Sequence, residues 1–63
     1  MVVIPSEYSE DVVQLIAECG ISEHHVTKEE QDGAMHLSFY YSVDEHDMLA
    51  ELDDACIPYK III

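Results

Sequence analysis

Basic side chains are almost missing from this sequence. Lys28 and Lys60 stand against fourteen Asp and Glu residues, and the formal net charge is -12. That sign excludes a module that grips nucleic acid directly through a basic patch. It also has a cost. In a chain of 63 residues, with an expected radius of gyration of roughly 11 Å, most charges lie within one or two Debye lengths of each other and repel. General acidity, for solubility or a salt-rich habitat, is one reason to carry such a surplus. A basic partner is the other.

Further absences narrow the chemistry. Cysteine occurs only at Cys19 and Cys56, with no CxxC and no evenly spaced framework, so a disulfide scaffold is not expected. Both fall at apolar helical positions and read as buried free thiols. Burial in a negative protein raises a thiol pKa, the wrong setting for a nucleophile. Glycine occurs only at Gly20 and Gly33, both turn positions, so no phosphate-cradling loop exists. The four histidines lack the recognisable spacing of a closed zinc site. His24 and His25 would point to opposite faces of a strand, and Glu29 with His36 makes only a cross-strand pair. Neither metal, cofactor nor catalytic residue is expected. The apolar run Met1-Val2-Val3-Ile4 is too short to span a membrane or act as a leader, and Pro5 interrupts it. The expected location is the cytosol.

What the chain does contain is a single domain's worth of regular pattern. Apolar residues make up 49 % of it, enough for a core, with no low-complexity tract. Val2 to Ile4 reads as a first strand. Ser9 before Glu10 and Asp11 reads as an N-cap with acids in the first turn. Val12, Leu15, Ile16 and Cys19 then recur at helical spacing, with Gly20 as the stop. The expected helix covers about residues 10 to 19. Residues 23 to 41 alternate around Asp32-Gly33, a strong two-residue hairpin signal. In that register paired numbers sum to 65. Val26 then faces Phe39 and Lys28 faces Leu37, on the side that also carries Met35 and Tyr41. The other side receives His25 with Tyr40, Thr27 with Ser38, and Glu29 with His36. One apolar and one polar side suits a sheet covered on one face.

The segment Ser42 to Ala55 is the second helix. Ser42 with Glu45 fits a capping box, and Asp44 is an alternative cap. Leu49, Leu52 and Cys56 mark its expected buried stripe, flanked by Met48 and Ala55. Pro58 is expected to end it, and Tyr59 to Ile63 reads as a last strand. The order β-α-β-β-α-β resembles the ferredoxin-like fold: an α+β two-layer sandwich with a four-stranded antiparallel sheet in spatial order 4-1-3-2 and both helices on one face. Val26, Met35, Leu37, Phe39, Leu49 and Leu52 are expected to share its core.

Carboxylates of the second helix form a pattern of their own. At 100 degrees per residue, Asp44, Asp47, Glu51 and Asp54 fall within about 80 degrees of one another and roughly opposite Leu49, Leu52 and Cys56. This is a solvent-facing row about 15 Å long. No Lys or Arg interleaves at i+4 to neutralise it. With antiparallel helices, Glu10 and Asp11 approach Asp53 and Asp54, while Glu18 and Glu23 approach Asp44 and Glu45. The expected partner-binding set is therefore Asp44, Glu45, Asp47, Glu51, Asp54, Glu10 and Asp11. To a basic groove, carboxylates at this spacing look like backbone phosphates. The solvated charged face of an ordinary helix is the competing reading. The uncovered sheet face supplies a second candidate interface at His25, His36 and Tyr40, with Ile62 beside them.

Small size, strong acidity, absent catalytic motifs and mixed α/β order together give a chain that resembles the small acidic inhibitors of bacteriophages, including the DNA-mimicking anti-CRISPR proteins. These share no signature motif, so no residue roles carry over. The resemblance implies a non-enzymatic inhibitor that occupies the basic DNA path of a CRISPR-Cas effector in the host bacterial cytoplasm, as a monomer or weak homodimer. The alternative is a small ferredoxin-like adaptor held in a complex through its sheet face.

Overall fold

The computed structural model describes residues 1–62. Four strands and two helices follow in the order β1 (Val2–Pro5), α1 (Ser9–Glu18), β2 (Val26–Gln31), β3 (Ala34–Phe39), α2 (Ser42–Asp54) and β4 (Lys60–Ile61). The sheet is antiparallel with order β2-β3-β1-β4, the ferredoxin-like arrangement. Short 3-10 turns at Ser6–Tyr8 and Glu23–His25 precede α1 and β2. The last strand is shorter than expected, and Ile63 lies outside the described residues.

The hairpin register is the expected one: Val26 pairs with Phe39, Lys28 with Leu37, and Gln31 with Ala34. Asp32 and Gly33 have φ of 53° and 76°, positive at both central residues as a two-residue I′ hairpin requires. That turn sets which side chains reach the core, because a slip of one residue would exchange the two faces. Val2 and Ile4 of β1 meet Leu37 and Met35 of β3 on the covered face. Val12 and Ile16 of α1, with Met48 and Leu52 of α2, close over them in one cluster. Both helices therefore share a side of the sheet. Of the expected core, Val26, Met35, Leu37 and Leu52 are buried, while Phe39 and Leu49 are half-buried and packed against the cluster.

Helix boundaries depart from expectation at both starts. Ser9 is inside α1, and Tyr8 is its N-cap. The preceding 3-10 turn already satisfies the Ser9 amide through the Ser6 carbonyl, so a capping side chain has less to supply. At α2 the cap is Tyr41, and neither the Ser42/Glu45 box nor an Asp44 cap forms. The Glu45 amide instead donates to the Tyr41 carbonyl at 3.4 Å.

Both helices end alike. After α1, the Gly20 amide donates to Ala17 and the Ile21 amide to Ile16, each at 3.1 Å. After α2, the Cys56 amide donates to Asp53 at 3.2 Å and the Ile57 amide to Leu52 at 2.9 Å. These are paired Schellman closures, with the C′ residue left-handed and a buried isoleucine following it. Gly20 has φ 71° and Cys56 has φ 59°. Cys56 is thus a helix stop and not part of the stripe, and it is exposed. Helix α2 ends at Asp54 through this closure, before Pro58 is reached.

Candidate functional site: an acidic two-helix face

The buried side of α2 is defined by Met48 and Leu52. Leu49 is half-buried, and Ala55 and Cys56 are exposed. Relative to the expected stripe of Leu49, Leu52 and Cys56, the helix is rotated by roughly 50 degrees. The carboxylate row therefore lies beside the core and not opposite it. The rotation turns the row toward α1, and Asp44 becomes half-buried.

Cys19, the C-cap of α1, records that convergence. It is half-buried, not buried as expected. Burial pushes its thiol above the ordinary value of 9.0, and the charges of Glu51, Asp47, Glu18 and Asp44 push it further. Three of those carboxylates come from α2 and one from α1. The strands that lead into the two helices, β1 and β3, pair antiparallel, so α1 and α2 run in opposite directions. A shallow groove runs along α1 past Asp11, Leu15 and Glu18 and is bordered by Ala55 and Ile57.

The expected partner-binding residues separate accordingly. Asp44, Asp47 and Glu51 act with Glu18 through their charges on the Cys19 thiol. Asp54, Glu10 and Asp11 are exposed, and of these only Asp11 borders the groove beside the end of α2. Asp53 is paired with Tyr59, just before β4: the interaction of its carboxylate with that phenol, then burial, holds the phenol above the usual value. Glu45 is half-buried, and its carboxylate lies 3.9 Å from the Met1 amino nitrogen. Among the described residues this is the one ion pair, so neither lysine neutralises a carboxylate. Glu18 was expected to approach Asp44 and Glu45 from the antiparallel helix but stood outside the expected partner-binding set; it joins Asp44, Asp47 and Glu51 through its charge on Cys19.

The open side of the sheet carries the second set. His36 pairs with Val3 and Glu29, and its Nδ1 lies 3.4 Å from the Met1 sulfur. Ile62 continues this edge, exchanging backbone hydrogen bonds with Met1 at 2.8 and 3.0 Å. His24 and His25 belong to a 3-10 turn capped by the Ser22 hydroxyl, not to a strand. His25 nevertheless keeps the hairpin register, its carbonyl accepting from the Tyr40 amide at 2.8 Å. Tyr41 was expected on the core side; it is 46 % exposed and meets the His25 ring edge-on at 4.9 Å. The chain leaves β3 after Phe39 to enter α2, which ends the alternation that would have turned Tyr41 inward.

Among the described residues, no group of three or more His, Cys, Asp or Glu is arranged to hold a metal ion, and no helix is long and apolar enough to cross a membrane. Comparison of the chain with protein-family models, curated proteins and solved structures gives no match.

Proposed function

We propose that this protein is a non-enzymatic inhibitor that presents a nucleic-acid-like array of carboxylates to the basic cleft of a CRISPR-Cas surveillance complex or nuclease, and so blocks target DNA binding. The observation that carries this reading is charge density. The molecule measures 25 Å along its longest axis and has a net charge of -12. The ratio is one charge per about 2 Å, against about 1.7 Å of axis per charge in double-stranded DNA. Internal pairing does little to reduce it, because among the described residues a single ion pair involves one carboxylate. A cleft built to release counterions from DNA gains from this surface in the same way.

The rigid two-helix support matters as much as the charge. Carboxylates on a disordered tail would lose conformational entropy on binding, whereas those on packed helices are already placed. Acids at the end of α2 oppose its dipole, so helix stability alone does not account for them.

The test is competition. An effector recovered by pull-down from a CRISPR-bearing host is loaded with labelled target DNA and titrated with the parent and with a Glu18→Gln, Asp47→Asn, Glu51→Gln variant. The parent should displace DNA. The variant should fold, melt slightly higher, inhibit more weakly through slower association, and depend less steeply on salt. Full inhibition by the variant with an unchanged salt slope would reject this face. Binding to the effector regardless of loaded DNA would favour the adaptor alternative.

A further inference from the structure

Three aromatic rings gather at the end of the hairpin remote from its turn. Tyr41 stands nearly perpendicular to both neighbours, 4.7 Å and 80° from Tyr40 and 4.9 Å and 74° from His25. Tyr40 and His25 are tilted by 34° with centroids 5.9 Å apart. Tyr40 is 75 % exposed, so its area contributes little to the core.

The spacing decides how such a cluster binds. A planar group between two rings needs about 7 Å, twice a carbon contact distance of roughly 3.5 Å. The 5.9 Å gap between Tyr40 and His25 is too narrow. What the cluster offers is the outer face of Tyr40, held in place by the rings behind it. An aromatic face attracts cations, the net charge is -12, and exposed Glu23 opens the 3-10 turn that ends at His25. Among cations, the guanidinium group stacks flat on a ring while its edge still donates to carboxylates. An ammonium cannot do both with the same geometry.

We propose that Tyr40, braced by His25 and Tyr41, is a stacking platform for an arginine side chain of the protein partner. The inference rests on the basic-cleft reading and narrows it to a cleft that offers arginine at this end of the sheet. The acidic face supplies charge attraction, which does not distinguish arginine from lysine strongly. The platform supplies the distinction.

Labelled hexa-arginine and hexa-lysine peptides carry equal side-chain charge and serve as probes at fixed ionic strength. Tyr40→Ala should weaken hexa-arginine binding about two- to five-fold and hexa-lysine distinctly less, while Tyr40→Phe retains parental affinity for both. The Glu18→Gln, Asp47→Asn, Glu51→Gln variant should weaken both peptides alike. Tyr40→Ala affecting both peptides equally, or neither, overturns the platform. Those outcomes leave the DNA-competition result standing, whereas a parent that binds arginine through Tyr40 but fails to displace DNA overturns the inhibitor reading alone.

Discussion

Cys56 occupies a backbone position that normally belongs to glycine. At φ 59° an L side chain costs roughly 1–2 kcal/mol, offset in part by the greater freedom glycine has when unfolded. The side chain is exposed, so little packing is lost on removing it. Cys56→Gly should therefore stabilise the protein by about 0.5–1 kcal/mol, raising the melting temperature by several degrees in a domain of this size. Gly33→Ala should do the opposite, because an added Cβ would meet no atom beyond the chain neighbours within 4 Å and the left-handed strain is its whole effect. Thermal melts of the two variants give the signs directly. The cysteines also differ in chemistry. Near pH 8, alkylation should modify exposed Cys56 well before Cys19, whose thiol is raised by burial and by four carboxylates; added salt should narrow the gap. Between the ordinary 9.0 and the raised folded value, the folded state holds a proton that the unfolded chain has lost. Stability from Cys19 is complete below pH 9 and falls above it. Tyr59 acts in the same direction above 10.0. Melts across pH 8 to 11 should decline, and Cys19→Ser should flatten the first part of that decline.

Helix α2 shows how an element with two plausible buried stripes is resolved by its neighbours. Leu52 is fully buried and Leu49 only half so. Leu52→Ala should cost about 2–5 kcal/mol, a large part of the stability of a domain this small, and Leu49→Ala distinctly less. Equal losses in denaturant titrations would place the buried stripe back at Leu49. The same rotation moved the carboxylate row from the solvent pole of α2 to its flank. It acts there with Glu18 of α1, so neither helix makes the acidic face alone.

For the molecule as a whole, repulsion is the dominant electrostatic term. A radius of gyration of 10.3 Å is close to a Debye length of about 8 Å at physiological salt. Raising sodium chloride from about 10 mM to physiological strength contracts the screening length from about 30 Å to that value. The melting temperature of the free protein should therefore rise. A flat response would mean that the carboxylates are further apart than their convergence on Cys19 indicates. Once bound in a basic cleft, the same protein should show the reverse, losing affinity as salt increases.

Local pattern was enough to specify the element order, the hairpin register and most of the core. Asp32-Gly33 constrains its own backbone, and alternation with a period of two leaves one register that buries Val26, Met35 and Leu37 together. Helix starts were less legible, since Ser9 and Ser42 look like caps but the backbone entering from Tyr8 and Tyr41 already provides the geometry. The stop at Cys56 carries no glycine to announce it, and its Schellman bonds accompany the burial of Ile57 in the core. Charge was plain in the composition, but its arrangement was not. Which side of α2 faces α1 depends on Met48 and Leu52 packing across the helices onto the sheet. That contact between distant segments sets the charges of Glu18, Asp44, Asp47 and Glu51 to act together on Cys19, and departure of the chain from β3 into α2 turns Tyr41 out to brace Tyr40. The sequence by itself determined how much negative charge the protein carries and on which elements. The tertiary structure decided where that charge converges, because packing and not periodicity sets the rotation of a helix about its own axis.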